Sequence, residues 1–300
     1  MLDKDITDNT AKQYLNWMVE TYEAEYGGDA KQLSLSEVMF SDYDLETYYM
    51  GSKGAGFGNA AVQVANDLDA DIKLNSKVVA VNYEDDENVI ITYEEKGTPK
   101  KVMARTALVT VPLGVLKANT ISFTPDLPER KQDAIDNMGY GLLNKAIMYW
   151  NNEDDIVWPE DEWMELITAE DELSGVFTSF INPSRVKGAP CLIAWIAGDE
   201  AVAMEEKSDE EVLEQVMLNL RSMFPTITDP DEIIVTRWGQ DENFLGSYSF
   251  NKVGRIFLDD AENLKERVGN VWFAGEATNL DDWHATTVGA WDSGEIAAGE

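Results

Sequence analysis

One cysteine, one histidine and few bases stand in this chain, and each scarcity closes off a class of chemistry. Cys191 is alone, so no internal disulfide forms, which suits a reducing, intracellular compartment such as the cytoplasm. With His284 the only histidine, a zinc centre of His and Cys ligands is excluded and no metal site is expected. Lys and Arg total 23 against 57 Asp and Glu, a net charge of −34, which argues against binding nucleic acid through its backbone. No apolar run approaches the roughly 18 residues that a membrane span needs, and the best, Ala107 to Leu116, is about half that. The opening MLDKDITDNT has neither the cationic nor the apolar region of a secretory signal.

What is present suffices for a core: 44% of the 300 residues are hydrophobic and nine are Trp. The acidity has two readings, a solvated surface adapted to high salt and a field that steers a cationic ligand, and composition does not separate them. Ala11, Tyr14, Leu15, Met18 and Tyr22 recur at helical spacing, and Gly27-Gly28 stops the pattern. GSKGAGFGNAAVQVANDL follows, a glycine cluster before a helical run, but no apolar strand precedes it as a dinucleotide fingerprint requires. It reads as a loop where backbone passes close to something. From Lys77 the period changes to two: KVVAVNY, NVIITYEE and KKVMARTALVTVP form a meander separated by turn residues. Pro128 opens a helix through Met138, LLNKAIMYW and CLIAWIAG are buried strands, and Ser208 with Glu211 makes a capping box before a helix. EIIVTRW and VWFAG are further strands, and a last helix begins near Thr287.

Two places carry chemistry. In VWFAGEATNLDDWHATTVGAWDSGE an apolar strand stops at Gly275 and is followed at once by Glu276, where open sheets place ligands. About ten residues on, a small-residue helix entrance offers unpaired N–H groups and a positive dipole end, suited to negative charge developing on a bound ligand. Taken alone, Glu276 is equally well a surface acid. Lys145 lies inside an apolar strand. Either it snorkels to the surface, or it is buried against a cleft with a lowered pKa.

Four segments, IKLNSKVVAV, VTVPLGVLK through FTPDLPERKQDAIDNMGYGLLNKAIMYW, VTRWGQDENFLGSYSF, and FAGEAT with ATTVGAWDSG, resemble the flavin-dependent amine oxidases. The branch they are most similar to is that of the polyamine oxidases and lysine-specific histone demethylases, in the family's order, over roughly Gly51 to Ala298. The resemblance implies FAD as cofactor, a small cationic amine of the polyamine class as substrate and a place in polyamine catabolism. It implies oxidation of a C–N bond by hydride transfer to flavin, with O2 reoxidising the flavin to give hydrogen peroxide. By motif, Lys145 matches the catalytic lysine that holds a water. Val78, Trp238, Glu276, Ala285, Thr286, Thr287 and Val288 match cofactor-binding positions, and Tyr248, Thr286 and Phe57 substrate-binding ones.

Three departures qualify this. Val288 replaces a frequent His, Thr286 replaces an aromatic wall as in demethylase-like members, and Asn243 stands where an aromatic is common, with Phe244 beside it. The family's opening strand, GxGxxG turn and helix have no counterpart before residue 50, so the chain resembles the family's C-terminal two-thirds. A truncated chain, a remnant and a site completed by a partner or a missing N-terminal segment all fit that absence, and weak FAD binding by this chain alone is expected. The alternative function is a catalytically silent fragment or a module that binds cationic ligands. The expected fold is α+β: an incomplete α/β-like FAD-binding part, residues 47–141 and 257–300, interleaved with a mixed-sheet substrate domain flanked by helices. That domain takes 142–256, with 1–46 as its helical segment.

Overall fold

The computed structural model describes residues 9–34, 57–68, 70–167, 176–184, 190–281 and 283–299, and the fold is α+β. These residues fall into two compact units. One lies within Met1–Ala30, Met39–Asp71 and Leu143–Arg237, the other within Lys31–Val38, Ile72–Leu142 and Trp238–Glu300.

In the first unit, α1 spans Asn9–Tyr26 and α2 Phe57–Asp67. The unit's sheet has five antiparallel strands, which in chain order are Leu143–Tyr149, Trp163–Glu165, Ser179–Ile181, Cys191–Ala197 and Glu232–Val235. With the second unit's six preceding strands numbered β1 to β6, these are β7 to β11, arranged β11-β7-β10-β9-β8. Alternation decides which side chains enter the core. Ala146, Met148, Leu192, Ala194 and Ile196 are buried on one face, while Lys145, Ile147, Ile193 and Trp195 are only partly buried on the other. Helices α5 (Gly198–Glu205) and α6 (Asp209–Met223) pack on this sheet. The capping box reads as expected: Ser208 Oγ accepts from Glu211 N–H, and Glu211 Oε2 accepts from Ser208 N–H. Val212, Val216, Met217 and Leu220 follow as the buried stripe.

In the second unit, β1 (Ser76–Asn82), β2 (Val89–Glu95) and β3 (Thr98–Ala104) form the expected meander, and β5 (Ser122–Thr124) adds in parallel to β1. The stretch KKVMARTALVTVP is not one strand. It breaks after Ala104, and β4 (Ala107–Val109) leaves to pair in parallel with β13 (Val271–Phe273), a partner more than 160 residues away in sequence that local alternation does not reveal. A second short pair joins β6 (Gly139–Tyr140) to β12 (Ser249–Phe250). This pairing places residues 238–256 with the second unit, whereas the sequence reading grouped them with 142–237. Residues 57–68, which that reading grouped with the FAD-binding part, fall in the first unit. Helices α3 (Leu113–Lys117), α4 (Glu129–Asn137), α7 (Phe257–Lys265) and α8 (Thr287–Gly299) complete the unit.

Its core gathers Val81, Val89, Leu113, Ile135, Leu264, Val271 and Phe273. A cation lies against it. Lys131 on α4 is 1% exposed, sits 4.0 Å from the centre of the Phe273 ring, and donates to the carbonyls of Asn263 (3.0 Å) and Leu264, at the end of α7. These carbonyls lack intrahelical donors, so the lysine satisfies one helix end from another. Burial lowers its pKa to about 7.

The folded-state pKa thus lies below that of the unfolded chain, and between the two values the unfolded state binds more protons. The stability tied to this group is complete above the unfolded value and is lost as pH falls through about 7. Lys131→Met should therefore gain on the parent as pH is lowered from about 10 to about 6, read as the difference in denaturation midpoint between the two proteins. A pH-independent difference would contradict the assignment.

Candidate active site

The second unit's β4 and β13 run parallel, so both C-termini point to one end, and a cavity of about 190 Å³ opens there. Its walls include Val109, Pro112, Tyr140, Phe244, Gly275 and Glu276. Gly275 has φ 141, a conformation essentially reserved for glycine, and no atom lies within 4 Å of where a Cβ would stand. Backbone here is bare to an approaching ligand. Ser293 Oγ on α8 holds the strand end by accepting from Gly275 N–H at 2.9 Å.

Glu276 follows, partly buried, with three donors on its carboxylate: Ser249 N–H at 3.1 Å, Ser249 Oγ at 2.6 Å and Ala285 N–H at 2.8 Å. Burial pushes its pKa up, while these hydrogen bonds pull it back. Tyr140 is also pushed up, first by burial and then by the Glu276 charge, and its hydroxyl donates to the carbonyl of Phe244 at 3.1 Å. Glu276 is therefore no bare surface acid. It ties β12 to the entrance of α8, and it retains acceptor capacity, since a carboxylate takes about four hydrogen bonds.

The entrance itself is tightly built. Ala285 is left-handed at φ 59, which turns its N–H onto Glu276. Thr286 Oγ accepts from Gly289 N–H at 3.0 Å and donates to the Trp283 carbonyl at 2.6 Å, so it acts as the cap of α8. Val288 is 56% exposed and Thr287 is exposed beside it. His284 stacks on Phe257, with ring centres 4.3 Å apart.

The other expected positions of this unit are spread more widely. Val78 packs on the core from β1, just before the bulge in its pairing with β2. Trp238 meets Phe244 edge to face at 4.8 Å, so Phe244 supplies an aromatic beside Asn243, whose own amide closes a local turn on Asp241. The Tyr248 carbonyl accepts from Gly141 N–H, which fixes the segment entering β12. Phe57 opens α2, and its side chain lies outside the described residues.

Lys145 belongs to the first unit, on β7. It is largely buried with a lowered pKa, caused by desolvation, and its Nζ lies 5.4 Å from the centre of the Trp195 ring. Among the described residues no carboxylate forms an ion pair with it. Its backbone is held by a device that sequence reasoning missed. Thr236, opposite Lys145 just past the end of β11, accepts from Lys145 N–H through its hydroxyl at 2.8 Å and donates to Asn144 Oδ1 at 3.0 Å. Asn144 in turn donates to the buried Glu205 at 2.8 Å. Ser249, Ser293 and Thr236 carry no signal in the sequence that marks them, because each matters through a partner far along the chain.

Comparison with known proteins defines the class. The profile of the flavin-containing amine oxidoreductases matches residues 3–300, and the chain belongs to that family, whose cofactor is FAD. It is 35% identical to polyamine oxidase 5 of Oryza sativa subsp. japonica over 97% of this chain and 56% of that protein. To lysine-specific histone demethylase 1 homolog 1 of Arabidopsis thaliana it is 40% identical over 63% of this chain and 22% of that one. The chain spans about half the length of the polyamine oxidases it matches. A solved double mutant of putrescine oxidase shares the fold with a TM-score of 0.75 at 19% identity, covering 99% of this chain and 65% of that one. Among the described residues no helix is long and apolar enough to cross a membrane.

The α8 entrance makes opposite predictions at two glycines. A Cβ on Gly289 would collide with the Trp283 carbonyl, so Gly289→Ala should destabilise by roughly 1–3 kcal/mol and loosen the Ala285 turn. Gly294 has open space, and Gly294→Ala should stabilise by about 0.5–1 kcal/mol. Denaturant titration and amide exchange at Ala285 read both, and equal signs would contradict the packing described.

Proposed function

We propose that this chain supports FAD-dependent oxidation of a C–N bond in a small cationic amine of the polyamine class. The observation that carries the reading is Lys145, a cation buried in an apolar strand without an ionic partner among the described residues, in a chain of the amine oxidoreductase family. Bound FAD would supply the two-electron oxidation, with O2 as final acceptor.

The second unit's residues suit one part of such a cofactor. Glu276 has lone pairs left for ribityl hydroxyls, Gly275 leaves backbone open, and the turn at Ala285 to Val288 leads into a helix N-terminus that favours negative charge. The cavity beside them, about 190 Å³, falls below the ~300–1,000 Å³ of drug-sized ligand sites and takes a portion of a dinucleotide rather than all of it. Val78 and Trp238 are the further cofactor contacts in this reading, and Tyr248 and Thr286 the substrate contacts. Lys145 Nζ, its charge disfavoured by burial, holds a water by hydrogen bond and can take or return a proton more readily than an exposed lysine. The acidic balance raises the local concentration of polycations.

Two measurements test this. With excess FAD added, Lys145→Met should slow flavin reduction by spermine on the order of tenfold to hundredfold while the fold persists, and equal rates would remove Lys145 from the chemistry. Spermine affinity should fall as salt rises and the Debye length shrinks from about 10 to about 3 Å, and salt-independent binding would leave surface solvation as the account of the charge. Spermine binding without any flavin reduction would make the chain a module that binds cationic ligands.

A further inference from the structure

Lys145 is one end of a straight rank of side chains across the first unit's sheet. In register, Lys145 lies opposite Trp195, Trp195 opposite Ser179, and Ser179 opposite Glu165. Residues directly opposite across strands share a face, so a cation, an aromatic, a hydroxyl and a carboxylate stand in line. Contacts bear this out: Lys145 Nζ faces the Trp195 ring, Ser179 Oγ donates to Glu165 Oε2 at 2.8 Å, and Trp163 packs edge-on against Trp195 at 5.1 Å. Trp163 is 36% exposed, which opens this end of the rank to solvent.

Glu165 is built to hold its charge in one orientation. Trp17 on α1 also donates to its Oε2, at 3.1 Å, so two neutral donors grip one oxygen. Among the described residues its Oε1 accepts no hydrogen bond and no Lys or Arg pairs with it. With one oxygen held and the other open, the carboxylate can pair with a cationic ligand at Oε1. Between Glu165 and Lys145 lie three strand spacings of about 4.8 Å, or ~14 Å. Putrescine is too short for that span, whereas a spermine-length chain covers it with its methylenes and inner ammonium groups over the Trp195 face.

We propose that Glu165 anchors the far ammonium of a long linear polyamine whose reacting end lies at Lys145. This rests on the oxidase reading only for which end reacts, and the binding claim stands apart from turnover. The test is equilibrium dialysis of the full chain with spermine, putrescine and n-octylamine. The parent should bind spermine more tightly than putrescine. Glu165→Gln, which keeps the shape and removes the charge, should weaken spermine by about tenfold or more and leave octylamine within about twofold. Trp17→Phe removes one neutral donor while leaving the carboxylate charged, and should preserve the preference for spermine over octylamine. Unchanged spermine binding in Glu165→Gln overturns the anchor, as does equal weakening of spermine and octylamine, which would make Glu165 a brace for α1. Spermine held through Glu165 without flavin reduction refutes the oxidase reading alone. Turnover with Glu165-independent binding refutes the anchor alone.

Discussion

The Glu276 carboxylate, with donors from Ser249 and Ala285, is the contact on which the second unit's site depends. Ser249 lies 27 residues before it and Ala285 nine after, so one side chain closes two loops of very different length. Without it, the buried Ser249 and the left-handed Ala285 would each keep an N–H without an acceptor, at the end of two parallel strands where the cavity opens. Ser293 and Thr286 then fasten the same end to α8 from the other side. The result is a strand end with open backbone, framed by hydrogen bonds that make the frame stiff.

Each unit also contains a lysine whose charge is disfavoured by burial, and the two illustrate different uses of one cost. Lys131 meets two carbonyls and an aromatic face, so its nitrogen is absorbed by structure. Lys145 meets an aromatic face, and its backbone rather than its side chain is tied down, through Thr236, Asn144 and Glu205. A lysine held by its main chain keeps its amine for other work. Among the described residues Lys145 forms no ion pair, although the chain carries 34 more acids than bases.

Much of this was legible beforehand where a local rule carries it. The Ser208 capping box, the helix after Pro128, the apolar strands around Lys145 and Trp195, and the strand ending at Gly275 all follow from spacing of two or 3.6 and from cap chemistry. The family membership was legible too, because four motifs occur in order. What was not legible depends on distant partners. Breaking of the strand after Ala104 is decided by β13, and the two-residue pairing of β6 with β12 leaves no periodic trace. Thr286 matches a substrate-wall position by motif, and its hydroxyl also caps α8, a second role that shows only when the Trp283 carbonyl is placed beside it. Gly289 is required for the same reason.

In the proposed function this strand-end frame is a flavin site organised by Glu276. Quenching of FAD fluorescence on titration with the full chain, compared with Glu276→Ala, tests it most directly. The parent should quench, weakly but saturably, and the variant should lose about tenfold or more in affinity while its far-UV spectrum stays native. No quenching by the parent, or the same affinity in both proteins, would contradict it.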